Sequence, residues 1–193
     1  LGKTSISKKL AYEWAIGMWG MKFKSLYVVP VRELDRRHFD GRSLRAAKTL
    51  ANAIVTLRFG WKDDDEYVAL RDHVFEELEK RTTLLILDGL DERDGACQEI
   101  VNEALQCRCK LLALSRPYNL HRERTLVDFE AECLGLTDEQ LIELAEAELP
   151  KRSVSQFVSF LLANLAIWDV AHVPVTANIL CVLWREGGWD QVK

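Results

Sequence analysis

The sequence predicts an α/β fold: a mostly parallel sheet with helices on both faces, followed by a small all-helical subdomain. Three observations carry this. The runs TTLLILDGLDE at 82–92 and CKLLALSRP at 109–117 are continuously apolar until they end in polar residues, as strands covered on both faces are. Helical spacing alternates with these strands, the order that parallel βαβ connections require. From about residue 137 the strand pattern stops and only helical spacing remains.

The elements follow in order. Ile6, Leu10 and Trp14 recur at i, i+4 and i+8, which predicts a helix from Lys3-Thr4 to about Gly17 with one apolar stripe toward a core. SLYVVPVRE at 25–33 is β-rich, and Pro30 marks an edge or irregular position. Residues 43–58 and 65–80 show helical spacing. The acids Asp63, Asp64, Asp65 and Glu66 are a solvated helix start that complements the dipole of the second. The buried strand at 82–92 comes next, then a helix near 94–107 and the second buried strand. TLVDFEAECLG at 125–135 predicts a further strand, less uniformly apolar.

Thr137 and Gln140 form a capping box for a helix over 138–149 that Pro150 ends, and VSQFVSFLLAN marks another. Pro174 suits the first turn of a last helix that stops before Gly187-Gly188. The predicted division is a sheet domain over 1–135 and a helical subdomain over 136–193.

The 193 residues are 48% hydrophobic and 29% charged, enough to bury a core and unlike a disordered chain. A net charge of −4 and a pI of about 5.7 argue against a general nucleic-acid or anionic-membrane surface, so phosphate binding must be local. The five cysteines, Cys97, Cys107, Cys109, Cys133 and Cys181, are odd in number and accompanied by no signal-peptide pattern. That favours reduced thiols in a cytosol-like compartment. No second pair at zinc spacing follows Cys107-x-Cys109. The tract LAIWDVAHVPVTANILCVLW carries Asp169, His172 and Pro174 and reads as buried helices, not a bilayer span.

The residues that bear chemistry sit at strand and helix ends. Gly2-Lys3-Thr4 is the tail of the P-loop pattern G-x-x-x-x-G-K-[ST]. There, backbone N–H groups surround phosphates, the Lys reaches the β- and γ-phosphates, and the Ser/Thr hydroxyl binds Mg²⁺. A helix starting at this point adds free N–H groups and a partial positive charge. Asp88 ends the buried strand, where a Walker B carboxylate holds Mg²⁺. Asp91 and Glu92 can orient or deprotonate a water, and Arg116 can read a γ-phosphate from the tip of the next strand. Each alone has an ordinary reading as a loop lysine, a turn with capping acids or a loop cation. Together, in this order and at these strand ends, they predict an Mg-nucleotide site.

GKTS, LLILDGLDE and LLALSRP resemble the Walker A end, extended Walker B and sensor 1 of NACHT domains, the signal-transduction P-loop NTPases of NOD-like receptors. LYVVPVREL resembles that family's second strand and HVPVTANILCVLW its proline-bearing helix, so the resemblance spans nearly the whole chain. It implies a three-layer P-loop NTPase core whose first strand and early loop glycines lie outside these residues. The sensor strand should lie between the P-loop strand and the Walker B strand. Gly2, Lys3, Thr4 and Ser5 are implied phosphate contacts, and Thr4 and Asp88 the Mg²⁺ ligands. Asp91 or Glu92 is implied to assist hydrolysis, Arg116 to sense the γ-phosphate and Pro174 to lie against adenine, although Pro174 reads equally as a plain helix-start proline.

The resemblance further implies ATP and ADP as ligands and other protomers of the parent protein as partners in a homo-oligomer formed on activation. It implies a cytoplasmic setting in innate immune signalling, with no nucleic-acid partner and no membrane span. The implied function is a nucleotide-dependent oligomerisation switch with slow hydrolysis. An AAA-type or other P-loop ATPase with steady turnover, and an inert NTPase-fold scaffold, remain open. With part of the phosphate cradle outside it, the chain alone is expected to bind nucleotide weakly and to be inactive.

Overall fold

The computed structural model describes residues 2–34, 49–60, 62, 64–92, 98–116 and 127–187. Two compact units divide the chain, one over Lys3–Glu130 and the other over Leu1–Gly2 and Ala131–Lys193.

In the first unit three parallel strands lie in the order β1-β2-β3, with β1 at Ser25–Pro30, β2 at Thr83–Asp88 and β3 at Lys110–Leu114. Every residue of β2 is buried, which its unbroken apolar run requires of a central strand. Pro30 pairs in register with Asp88, and Asp88 with Leu114, so the three strands end together at one rim of the sheet. Pro30 is the last residue of β1, an edge strand among the described residues, where its missing N–H does no harm.

Helices α1 (Lys3–Ala15), α2 (Thr49–Phe59), α3 (Asp65–Leu78) and α4 (Gln98–Gln106) complete this unit. Leu50, Ile54 and Val55 of α2 join Val29, Leu85, Leu87 and Ile100 in its core. The Asp64 carboxylate accepts the Tyr67 N–H at 2.7 Å and caps α3, as the acidic run predicts; Asp63 lies outside the described residues. The starts of the helices predicted at 43–58 and 94–107 also lie outside them. The apolar stripe of α1 is only half-buried, and the one buried residue of that helix is a polar one, Ser7.

Residues 127–135 form no strand, contrary to the sequence prediction, and all are exposed. Asp128, Glu130 and Glu132 alternate there with Val127, Phe129 and Ala131. Such alternation makes a strand only where a core covers one face, and Phe129 and Leu134 remain 84% and 88% exposed. Residues 125 and 126 lie outside the described set.

The second unit is helical: α5 (Asp138–Glu148), α6 (Lys151–Ala163), α7 (Leu165–Ala171) and α8 (Pro174–Arg185). Thr137 and Gln140 make the predicted capping box, and Pro174 occupies the first turn of α8. Leu141, Phe157, Leu161, Ala177 and Cys181 form the core. Trp184 sits against Phe157 and Phe160 with ring centroids 5.4 and 5.3 Å away. Gly135 has φ +102°, and a Cβ there would lie 2.5 Å from the His172 carbonyl oxygen, which accepts the Leu136 N–H at 2.8 Å. The His172 ring faces an acceptor at each nitrogen, Trp168 O at 2.8 Å from Nδ1 and Asp138 Oδ1 at 2.8 Å from Nε2. Only the imidazolium donates to both. The Asp138 bond accordingly raises the His172 pKa, with Trp168 and Asp169 adding to it.

Among the described residues no single helix is long and apolar enough to cross a membrane; α6 and α7 approach this only as a pair, bent by 114°. Cys107, Cys109, Cys133 and Cys181 are free thiols.

Candidate functional site

The site grows from the way β2 ends. Asp88 closes the strand, and Gly89 turns the chain with φ +86°, a conformation that costs a residue with a Cβ. The Gly89 N–H donates to Leu114 O at 3.0 Å, so the turn is pinned to the end of β3. A single 3₁₀ turn over Leu90–Glu92 follows, closed by the Glu92 N–H on Gly89 O at 2.8 Å and anchored by buried Leu90. Asp91 is thereby held at the rim where β3 also ends.

The Asp91 carboxylate, only 2% exposed, holds two cations. Lys3 Nζ is 2.9 Å from Oδ1 and 3.2 Å from Oδ2. Arg116 contributes its Nε at 3.3 Å from Oδ2 and its backbone N–H at 3.1 Å from Oδ1. Glu92 reaches the same lysine at 3.5 Å. Burial alone would push the Asp91 pKa up, but the Lys3 bond and backbone N–H groups, including that of Arg116, outweigh it and hold the carboxyl below its ordinary value.

Asp88 lies beside this cluster in the sequence but has different partners. Its Oδ2 accepts from the Ser7 hydroxyl at 3.1 Å, and the same hydroxyl lies 3.0 Å from the Thr4 carbonyl oxygen. Its Oδ1 is buried and has no hydrogen-bond partner. An orphaned buried carboxylate oxygen is costly unless something pairs with it. A divalent cation fits that requirement. Among the described residues no three His, Cys, Asp or Glu gather as a metal centre. Mg²⁺ takes one or two protein oxygens and completes its shell with water and substrate phosphates, so a single unpartnered carboxylate oxygen fits it.

The predicted residues therefore fall into groups. Lys3, Asp91, Glu92 and Arg116 meet in one ion-paired cluster, and Thr4 and Asp88 are joined through Ser7. Lys3 and Thr4 open α1, where backbone N–H groups are free for an anion. Gly2 precedes them with φ +93°, and Ser5 is exposed. Pro174 belongs to the helical unit as the first residue of α8. Sequence reasoning missed Ser7. Its signal was a polar residue one helical turn beyond Thr4, hence on the same face of α1.

β3, which ends two residues before Arg116, pairs directly with β2, which ends at Asp88, the neighbours expected of a sensor strand and a Walker B strand. No match was found among curated proteins. The family model described as NACHT domain matches residues 1–152. The chain belongs to the NACHT domain family and is a nucleotide-binding module of the P-loop NTPase class.

Proposed function

We propose that this module is a nucleotide-operated switch: ADP holds it in one state, exchange for ATP permits association with other protomers, and slow hydrolysis resets it. The observation that supports this most directly is that one buried carboxylate, Asp91, holds both Lys3 and Arg116. These are the cations a triphosphate would recruit, so an arriving γ-phosphate competes with Asp91 for them. The 3₁₀ turn at Leu90–Glu92 then responds to the ligand. A ligand shifts such an equilibrium only by its differential affinity for the two states, which here resides in the third phosphate.

Lys3 takes the β- and γ-phosphates, with the N–H groups that open α1 and the backbone of Gly2 and Ser5 beside it. Thr4 and Asp88, the latter through Oδ1, are the groups that would hold Mg²⁺, whose chemistry is to neutralise phosphate charge. Glu92 is one-third exposed and less tightly engaged than Asp91, which suits it to accept the proton of the attacking water. Asp91 acts with it by controlling Lys3 and Arg116. A cytoplasmic place in innate immune signalling accompanies this reading.

Replacement of Arg116 by Ala tests it. ADP affinity should stay within about twofold while ATP affinity and ATP-induced assembly fall by about tenfold, the scale of one charge-assisted contact. Equal loss for both nucleotides would defeat the switch.

A further inference from the structure

We propose that Ser7 is a positioning residue that sets which oxygen of Asp88 is presented to a divalent cation. Three facts carry this. Ser7 is 1% exposed, the only buried residue of α1, although it is polar and no core position there needs a hydroxyl. Its Oγ lies 3.1 Å from Asp88 Oδ2 and 3.0 Å from Thr4 O, so a single hydroxyl connects the end of β2 to the first turn of α1. The other carboxylate oxygen, Oδ1, is buried and unpartnered.

One hydroxyl carries one proton. Donating it to Asp88 satisfies Oδ2, fixes the carboxylate's rotation and leaves Oδ1 as its open coordination position. Donating it to Thr4 O leaves both carboxylate oxygens without a proton donor and frees the carboxylate to turn. Ser7 thus links the two residues proposed to serve Mg²⁺ without touching the cation. Groups that orient a metal's ligands in this way typically contribute 10- to 100-fold in metal affinity. The inference rests on the reading of Asp88 as a cation ligand.

The test is a titration of the full-length protein with a fluorescent ADP analogue across Mg²⁺ concentrations, with a parallel series in EDTA. For Ser7→Ala the Mg²⁺ concentration at half-effect should rise by about tenfold. Affinity in EDTA should stay within about twofold, which also reports that the variant is folded. In an Asp88→Asn background, Ser7→Ala should have no further effect on the Mg²⁺ response, since nothing is left to orient. An unchanged Mg²⁺ midpoint in Ser7→Ala overturns the inference while leaving the site reading intact. A loss in EDTA equal to that in Mg²⁺, or an undiminished effect in the Asp88→Asn background, assigns Ser7 a purely structural role and also overturns it. A parent protein that binds the analogue equally with and without Mg²⁺ overturns the site reading and this inference together.

Discussion

Replacing Asp91 by Asn should loosen the fold and tighten nucleotide binding at once. The structure supplies the magnitude. At 2.9 Å the Lys3–Asp91 pair has a gross attraction of about 6 kcal/mol at an effective dielectric of about 20. Most of that is offset by desolvation of a carboxylate only 2% exposed. Lys3 is itself 17% exposed and keeps Glu92 at 3.5 Å after the change. The net loss of stability therefore falls between the exposed and fully buried cases, at about 2 kcal/mol. Phosphate binding must break the same pair. Removing Asp91's charge should then recover much of that free energy as affinity, about tenfold. Urea unfolding of the apo protein and titration with a fluorescent ATP analogue measure the two quantities. Affinity falling together with stability would refute the competition argument, as would stability left unchanged.

Two further predictions concern the helical unit. Gly135→Ala should cost at least about 2 kcal/mol in urea unfolding, since it combines a left-handed φ with a contact to backbone at 2.5 Å. Gly187→Ala, with φ +72° and open space around it, should cost about half as much. The raised His172 pKa means that its bond to Asp138 contributes stability below about pH 6.5 and loses that contribution as pH rises through the folded-state value. Asp138 is 64% exposed, so the effect should stay below about 1 kcal/mol. Thermal unfolding at pH 6 and pH 8 checks it, the difference shrinking in His172→Ala.

The sheet was legible because LLIL in β2 and LLAL in β3 are unbroken apolar runs; β2 is buried throughout, as such a run predicts, whereas β3, at the edge of the described sheet, starts at exposed Lys110 and is only half-buried beyond it. The failure at 127–135 has the opposite cause: an alternating segment is a strand only if a core meets one side, and the core's location is not local information. The capping box at Thr137 and the proline at 174 were readable because both act within one helical turn. Lys3, Asp88, Asp91 and Arg116 were singled out by their places at strand and helix ends. The resemblance implied that Arg116 lies near Lys3 and Asp88, but the Asp91 ion pairs were not readable, because Lys3 and Asp91 stand 88 residues apart and meet only once α1 packs against β1 and β2. Ser7 was hidden because it lies off the Ile6, Leu10 and Trp14 stripe expected to face the core, a stripe that is only half-buried.

The most direct test of the account is the nucleotide that accompanies the purified full-length protein, compared with its Lys3→Ala variant. The expected result is bound ADP that exchanges for ATP with a shift to a larger assembly, both abolished when Lys3 is removed. A protein free of nucleotide and unchanged by the substitution would contradict it and leave the fold as a scaffold.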